Sequence, residues 1–180
     1  LRLPELVASP LSINALREDM QTSHRTVAHY LDILERLYFI FRISPFGAPK
    51  IRAVKKEQKH YHLDWGLIED SAKRFENLVA CHLLKWVNWE EDVKGEDMEL
   101  RYFRDIDGRE VDFVILKNRK PILCVECKWD DRDIDQSLNY FKKKFPDIEA
   151  WQISAVGKKD YEATNGIRVA PARTFLQRFI

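Results

Sequence analysis

Asp112, Glu126 and Lys128 are the residues whose types and spacing most suggest chemistry. Glu126 and Lys128 stand two apart near the end of the apolar run from Pro121 to Trp129, and Asp112 interrupts the run from Val111 to Leu116. Both runs are short and rich in β-branched residues. The polar stretch Asn118-Arg119-Lys120-Pro121 separates them, so together they read as a β-hairpin. Residues two apart on a strand share a face at a spacing of about 7 Å. Glu126 and Lys128 therefore point one way, and Val125 and Cys127 the other. A register that sets Asp112 beside Glu126 brings two carboxylates and an ammonium to one spot.

Burying such a group without neutralisation costs several kcal/mol per ion. A divalent cation between the carboxylates offsets that cost. Hard oxygen ligands suit magnesium, or manganese in its place, which keeps several waters and can meet a phosphate. The alternative is an exposed strand face with a cross-strand salt bridge.

The flanks extend the pattern. Asp131 to Phe145 reads as a helix with Ile134, Leu138, Phe141 and Phe145 on one stripe, and with Gln136 and Tyr140 one turn apart on another. Upstream, Ile68 to Val87 reads as a long helix with Ala72, Phe75, Val79, Leu83 and Trp86 inward. Glu76 falls inside that stripe, where a carboxylate needs a partner, or else sits at its edge and reaches water.

The first third has a separate logic. Ser12 can cap a helix through Met20, and Ser23 a second one carrying Val27, Leu31, Leu34 and Leu37 at helical spacing. A short helix, a tight turn and a longer helix read as a helix-turn-helix. The strand Phe39 to Ile43, a Pro/Gly-rich break, a basic segment and a returning strand Tyr61-His62-Leu63 then make a winged helix. His24, Arg25 and His29 fall near the start of the second helix, where such modules contact bases or phosphates. Lys50, Arg52, Lys55, Lys56 and Lys59 would follow a nucleic-acid backbone from the wing. The same module can instead dock protein, with the basic loop as a solvated linker.

Composition bounds these readings. The 180 residues are 45% hydrophobic, enough for a core of one domain or two small ones, and the formal net charge of +1 confines any basic footprint to a local patch. No signal peptide or membrane span is seen, so a cytoplasmic protein is expected. The chain opens on Leu1 rather than methionine, which reads as a fragment or a processed form. Cys81, Cys124 and Cys127 suit a reducing compartment, and Cys124 and Cys127 fall on opposite strand faces, against a zinc or redox pair. There is no Walker phosphate loop, Gly-x-Ser-x-Gly or His-Glu-x-x-His to anchor an ATPase, a hydrolase elbow or a zincin.

Asp112 followed by Glu126-Cys127-Lys128 at the end of the next strand resembles the PD-(D/E)xK nuclease signature, and Gln136-x-x-x-Tyr140 on the next helix resembles its RecB-type exonuclease branch. The resemblance implies magnesium on Asp112 and Glu126, help from Glu76 on the first helix, Lys128 orienting the attacking water, and Gln136 and Tyr140 bordering the site. Over the whole chain, Leu3-Pro4-Glu5-Leu6, Ser23-x-x-Thr26-Val27-x-x-Tyr30-Leu31, Leu37-Tyr38-Phe39-Ile40, Tyr61-His62-Leu63-Asp64-x-Gly66-Leu67 and Phe75-Glu76-Asn77 resemble the C-terminal half of a prokaryotic AAA-type P-loop ATPase family of unknown function. ATP would then bind only an N-terminal domain absent from this sequence.

The expected fold is α/β, with a winged helix-turn-helix over residues 1–67 and a restriction-endonuclease-like mixed sheet flanked by helices over residues 68–180. Further strands are expected at Leu100 to Phe103, Ala150 to Ser154 and Gly166 to Val169, with a terminal helix after Pro171. The leading functional expectation is magnesium-dependent DNA hydrolysis by a module of a larger ATPase. The alternative is a catalytically inactive module that gives the ATPase a DNA or protein target. Expected partners are DNA and the ATPase domain, not a membrane, with self-association left open.

Overall fold

The computed structural model describes residues 2–47 and 58–179. One mixed sheet of eight strands runs through it: β1 (Ile40–Pro45), β2 (Lys59–His62), β3 (Met98–Arg104), β4 (Glu110–Lys117), β5 (Lys120–Lys128), β6 (Glu149–Ser154), β7 (Tyr161–Glu162) and β8 (Ile167–Pro171), in the order β2-β1-β3-β4-β5-β6-β8-β7. Five α-helices flank it among the described residues: α1 (Ile13–Asp19), α2 (His24–Arg36), α3 (Ser71–Lys94), α4 (Gln136–Lys144) and α5 (Ala172–Leu176). No helix among these residues is long and apolar enough to cross a membrane.

The helix starts follow capping chemistry. The Ser12 hydroxyl accepts from the Ala15 N–H at the head of α1, Ser23 does the same for Thr26 in α2, and Asp70 opens α3 through Lys73. Gly95, at φ +68°, closes α3 in the left-handed conformation that suits glycine. The β4–β5 turn is two residues long. Asn118 and Arg119 both take positive φ, as the twist of a two-residue hairpin demands.

Strand alternation divides the core. Phe113, Ile115, Leu123 and Val125 join Val79, Leu83 and Val87 of α3, while Val114, Leu116 and Cys124 join Leu138 and Phe141 of α4 on the other face. Cys124 and Cys127 do lie against different layers. A smaller cluster of Leu3, Leu11, Leu16, Val27, Leu31 and Ile40 holds the N-terminal helices together.

The sheet joins the two parts of the chain, and two helix expectations change. The expected strand pair forms, β1 with β2, and β1 continues into the large sheet by parallel pairing of Ser44 and Pro45 with Arg101 and Tyr102. Phe41, Ile43 and Tyr61 share the α3-side core, so the packing runs unbroken across residue 67. The helix expected from Asp131 begins only at Gln136, because Asp131 accepts instead from the N–H groups of Lys158 and Lys159 and the cap falls to Asp135. Ala72 is exposed rather than inward. Lys50, Arg52, Lys55 and Lys56 lie outside the described residues.

Candidate functional site

Asp112 sits at a β-bulge. Two steps along β3, from Arg101 to Phe103, correspond to three along β4, from Val114 to Val111, so Asp112 and Phe113 together oppose Tyr102. A bulge re-aims side chains, and Val111 accordingly packs on the α4 side while Phe113 packs on the α3 side. The Asp112 carboxylate is left between two groups. Its Oδ2 accepts from the Cys127 N–H at 2.9 Å, and its Oδ1 is 3.7 Å from the Lys59 ammonium.

Glu126 meets it from β5. One Glu126 oxygen accepts from the Asp112 N–H at 3.3 Å and the other from Lys128 Nζ at 2.8 Å. The hairpin register thus places Asp112 beside Glu126. Lys128 also donates to Asp135 at 2.8 Å, and Asp135 caps α4 through the Ser137 N–H. Gln152, level with Glu126 on β6, is buried and ties the preceding loop down: it accepts from the Asp135 N–H and donates to the carbonyls of Arg132 and Asp133.

The second group comes from α3 and β2. Glu76 accepts from the Tyr61 hydroxyl at 2.8 Å and lies 3.6 Å from Lys59 Nζ. Lys59 Nζ is 2.6 Å from Glu110, whose other oxygen reaches Arg104 at 3.4 Å. The expectation that Lys59 faces a nucleic-acid backbone is therefore corrected. Its side chain is 1% exposed and points into the acidic cluster, over the Tyr102 ring.

The electrostatics follow from burial and crowding. Burial, then the charge of Asp112, pushes the Glu76 carboxyl up to about 8 against the pull of Lys59. Asp112 is raised by burial although Lys59 and the Cys127 N–H draw it down. Glu126 is raised well above its ordinary value by burial and by Asp112. Burial draws the two ammoniums down, but their carboxylate partners outweigh it, and both Lys59 and Lys128 hold their protons more firmly than free lysine.

Among the described residues no set of three or more His, Cys, Asp and Glu side chains forms a ready metal cage. Magnesium asks for less, since one or two protein carboxylates with waters suffice. The cluster sets Glu76, Glu110, Asp112, Glu126 and Asp135 against Lys59, Lys128 and the rim residue Arg104. Crowding and burial raise Glu76, Asp112 and Glu126 together, so the group favours a proton or another added positive charge.

The remaining expected site residues form no hydrogen bond or ion pair with these carboxylates among the described residues, although Gln136 directly follows Asp135. Gln136 is exposed in the first turn of α4, and the half-buried Tyr140 lies against Phe103 with the Arg109 guanidinium 4.2 Å over its ring. His24, Arg25 and His29 are exposed along the first half of α2. Sequence reasoning passed over Tyr61, Glu110, Asp135 and Gln152. The signals were present: Glu110 precedes Asp112 by two, and Lys59 and Tyr61 alternate on one strand face.

Comparison with protein families gives two matches. Residues 2–77, which include Lys59, Tyr61 and Glu76, match a domain of unknown function, DUF8612. Residues 72–175, which include Glu76, Asp112, Glu126 and Lys128, match another, DUF4143. No curated protein and no solved structure matches the chain. Since the second match spans more than half of the chain, the chain belongs to the DUF4143 family of domains.

Proposed function

We propose that the chain is a PD-(D/E)xK-type nuclease module that hydrolyses phosphodiester bonds of DNA with magnesium or manganese. One observation carries the reading: Asp112 and Glu126 meet at the bulged end of β4, beside Lys128, in a crowded and largely buried acidic cluster. Asp112 and Glu126 would hold the ion, with Glu76 assisting through water. The ion would supply Lewis acidity toward the phosphate and lower the pKa of a bound water. Lys128, which donates to Glu126 and Asp135, would orient that water and offset charge developing on the phosphate. Gln136 and Tyr140 would border the substrate path.

The first third would be a winged helix whose strand pair is fused to the sheet, with His24, Arg25 and His29 facing the partner. The family match supports a place in a larger protein, since such domains typically occur in the C-terminal regions of AAA-type ATPases. A groove of about 550 Å³ favours a second reading for this part, docking of protein rather than DNA. Leu16, Met20, Val27, Tyr30, Ile33 and Leu34 line it.

The test is cleavage of linear, circular and branched DNA with Mg²⁺ or Mn²⁺ by the wild type, Asp112→Ala and Lys128→Ala. The expected result is wild-type cleavage that is lost in both folded variants. If the wild type cuts no substrate while still binding DNA or an ATPase domain equally well in all three forms, the module is non-catalytic.

A further inference from the structure

Among the described residues, Lys59 is the one buried charge that the proposed chemistry leaves unused. A buried ammonium is costly to desolvate unless carboxylates surround it, and three do, at 2.6 Å (Glu110), 3.6 Å (Glu76) and 3.7 Å (Asp112). The division of partners is informative. Among the described residues, Glu76 and Glu110 lie within ion-pair distance of Lys59 and not of Lys128, and Glu126 and Asp135 do the reverse. Asp112 stands between, accepting from the backbone of β5 on one oxygen and facing Lys59 with the other. Lys59 also arrives on β2, outside residues 72–175.

We propose that Lys59 is a positioning residue that takes the place of a second cation, committing Glu76 and Glu110 so that Asp112 and Glu126 accept a single divalent ion. This rests on the reading of Asp112 and Glu126 as a divalent-ion site. A lysine ammonium is a compact, tethered point charge. Held among these carboxylates it keeps them in place before any ion arrives, and it repels a second dication at close range. The consequence is that β2, which lies within residues 2–77, completes a centre whose carboxylates all lie within residues 72–175.

The measurement is calorimetric titration of Mn²⁺ into the full chain as wild type, Lys59→Met, and Lys59→Met with Glu110→Gln. The last variant keeps the wild-type net charge and so guards against unfolding. The wild type is expected to bind one ion and each variant two. In the single variant the first ion should bind at least about tenfold more tightly, because an opposing charge is gone. One ion bound at wild-type affinity by a folded variant, or none, would overturn the proposal and leave the Asp112–Glu126 site intact. So would failure of both variants to fold in saturating Mn²⁺, since an ion in the vacated place should restore the carboxylate set. A wild type that binds no Mn²⁺ would overturn the underlying site as well.

Discussion

Lys59 and Lys128 bring the same ammonium group to the same acidic cluster from two different regions, and the contrast separates holding from working. Lys59 comes from the first third of the chain, its side chain is 1% exposed, and three carboxylates lie within 3.7 Å. Lys128 comes from the β4–β5 hairpin, its side chain is 24% exposed, and it divides itself between Glu126 and Asp135. A dry ammonium with every direction occupied can shape its neighbours but cannot meet a substrate. A partly wet one can do both. Loss of a buried partner also leaves uncompensated charge, whereas water compensates much of the loss nearer the surface.

The largest expected effect follows from that difference. Lys59→Met should cost about 3–5 kcal/mol in metal-free buffer, measured by urea unfolding at neutral pH. A loss below about 1 kcal/mol would erase the contrast. Next comes the bracket that holds the Lys59 strand. The Asn77 carboxamide accepts from the His62 N–H at 2.8 Å and donates to the His62 carbonyl at 2.6 Å, both buried. Asn77→Ala should cost about 2 kcal/mol and loosen the site, because it orphans the His62 N–H and leaves its carbonyl only the Cys81 thiol. Preserved stability would show that β2 needs no bracket.

A pH profile sharpens the comparison further. Glu76 in the folded protein is raised from 4.5 to about 8, so the folded state binds more protons than the unfolded chain across that window. Its contribution is full below the lower value and lost as pH rises through the upper one. Metal-free protein should therefore lose on the order of 2 kcal/mol between pH 5 and pH 8. Glu76→Gln should flatten the slope, and an unchanged slope would place the titration elsewhere. The smallest effect on stability is expected for Lys128→Met, about 1 kcal/mol, in the variant that should nonetheless abolish cleavage.

Much of this was legible in the residues. Ser12 and Ser23 announced their helices, the polar turn between two β-branched runs announced the hairpin, and parity placed Glu126 and Lys128 on one face. Lys59 was misread for a physical reason. It follows Lys55 and Lys56 in sequence, and only the pairing of β2 with β1, together with the packing of α3 and the N-terminal segment, makes both faces of the strand dry. The bulge at Asp112 was equally hidden, since it is a property of the β3–β4 register rather than of β4 alone. The late start of α4 reflects competition for one side chain. Asp131 was a plausible first-turn acid until the N–H groups of Lys158 and Lys159, distant in sequence, claimed it.

The bonds that secure β2 also govern how one copy of the chain meets another. β2 is the last strand at its end of the sheet, and its outward backbone is occupied: Ala8 and Leu11 donate to the carbonyls of His60 and Gln58, and Asn77 takes both groups of His62. At the opposite end β7 is two residues long. Exposed strand edges recruit further chains into a growing sheet, and very short or covered edges discourage it. Among the described residues the two ends of the sheet thus offer little bare strand edge, which disfavours edge-to-edge addition and leaves side-chain surfaces as the expected route to any specific assembly.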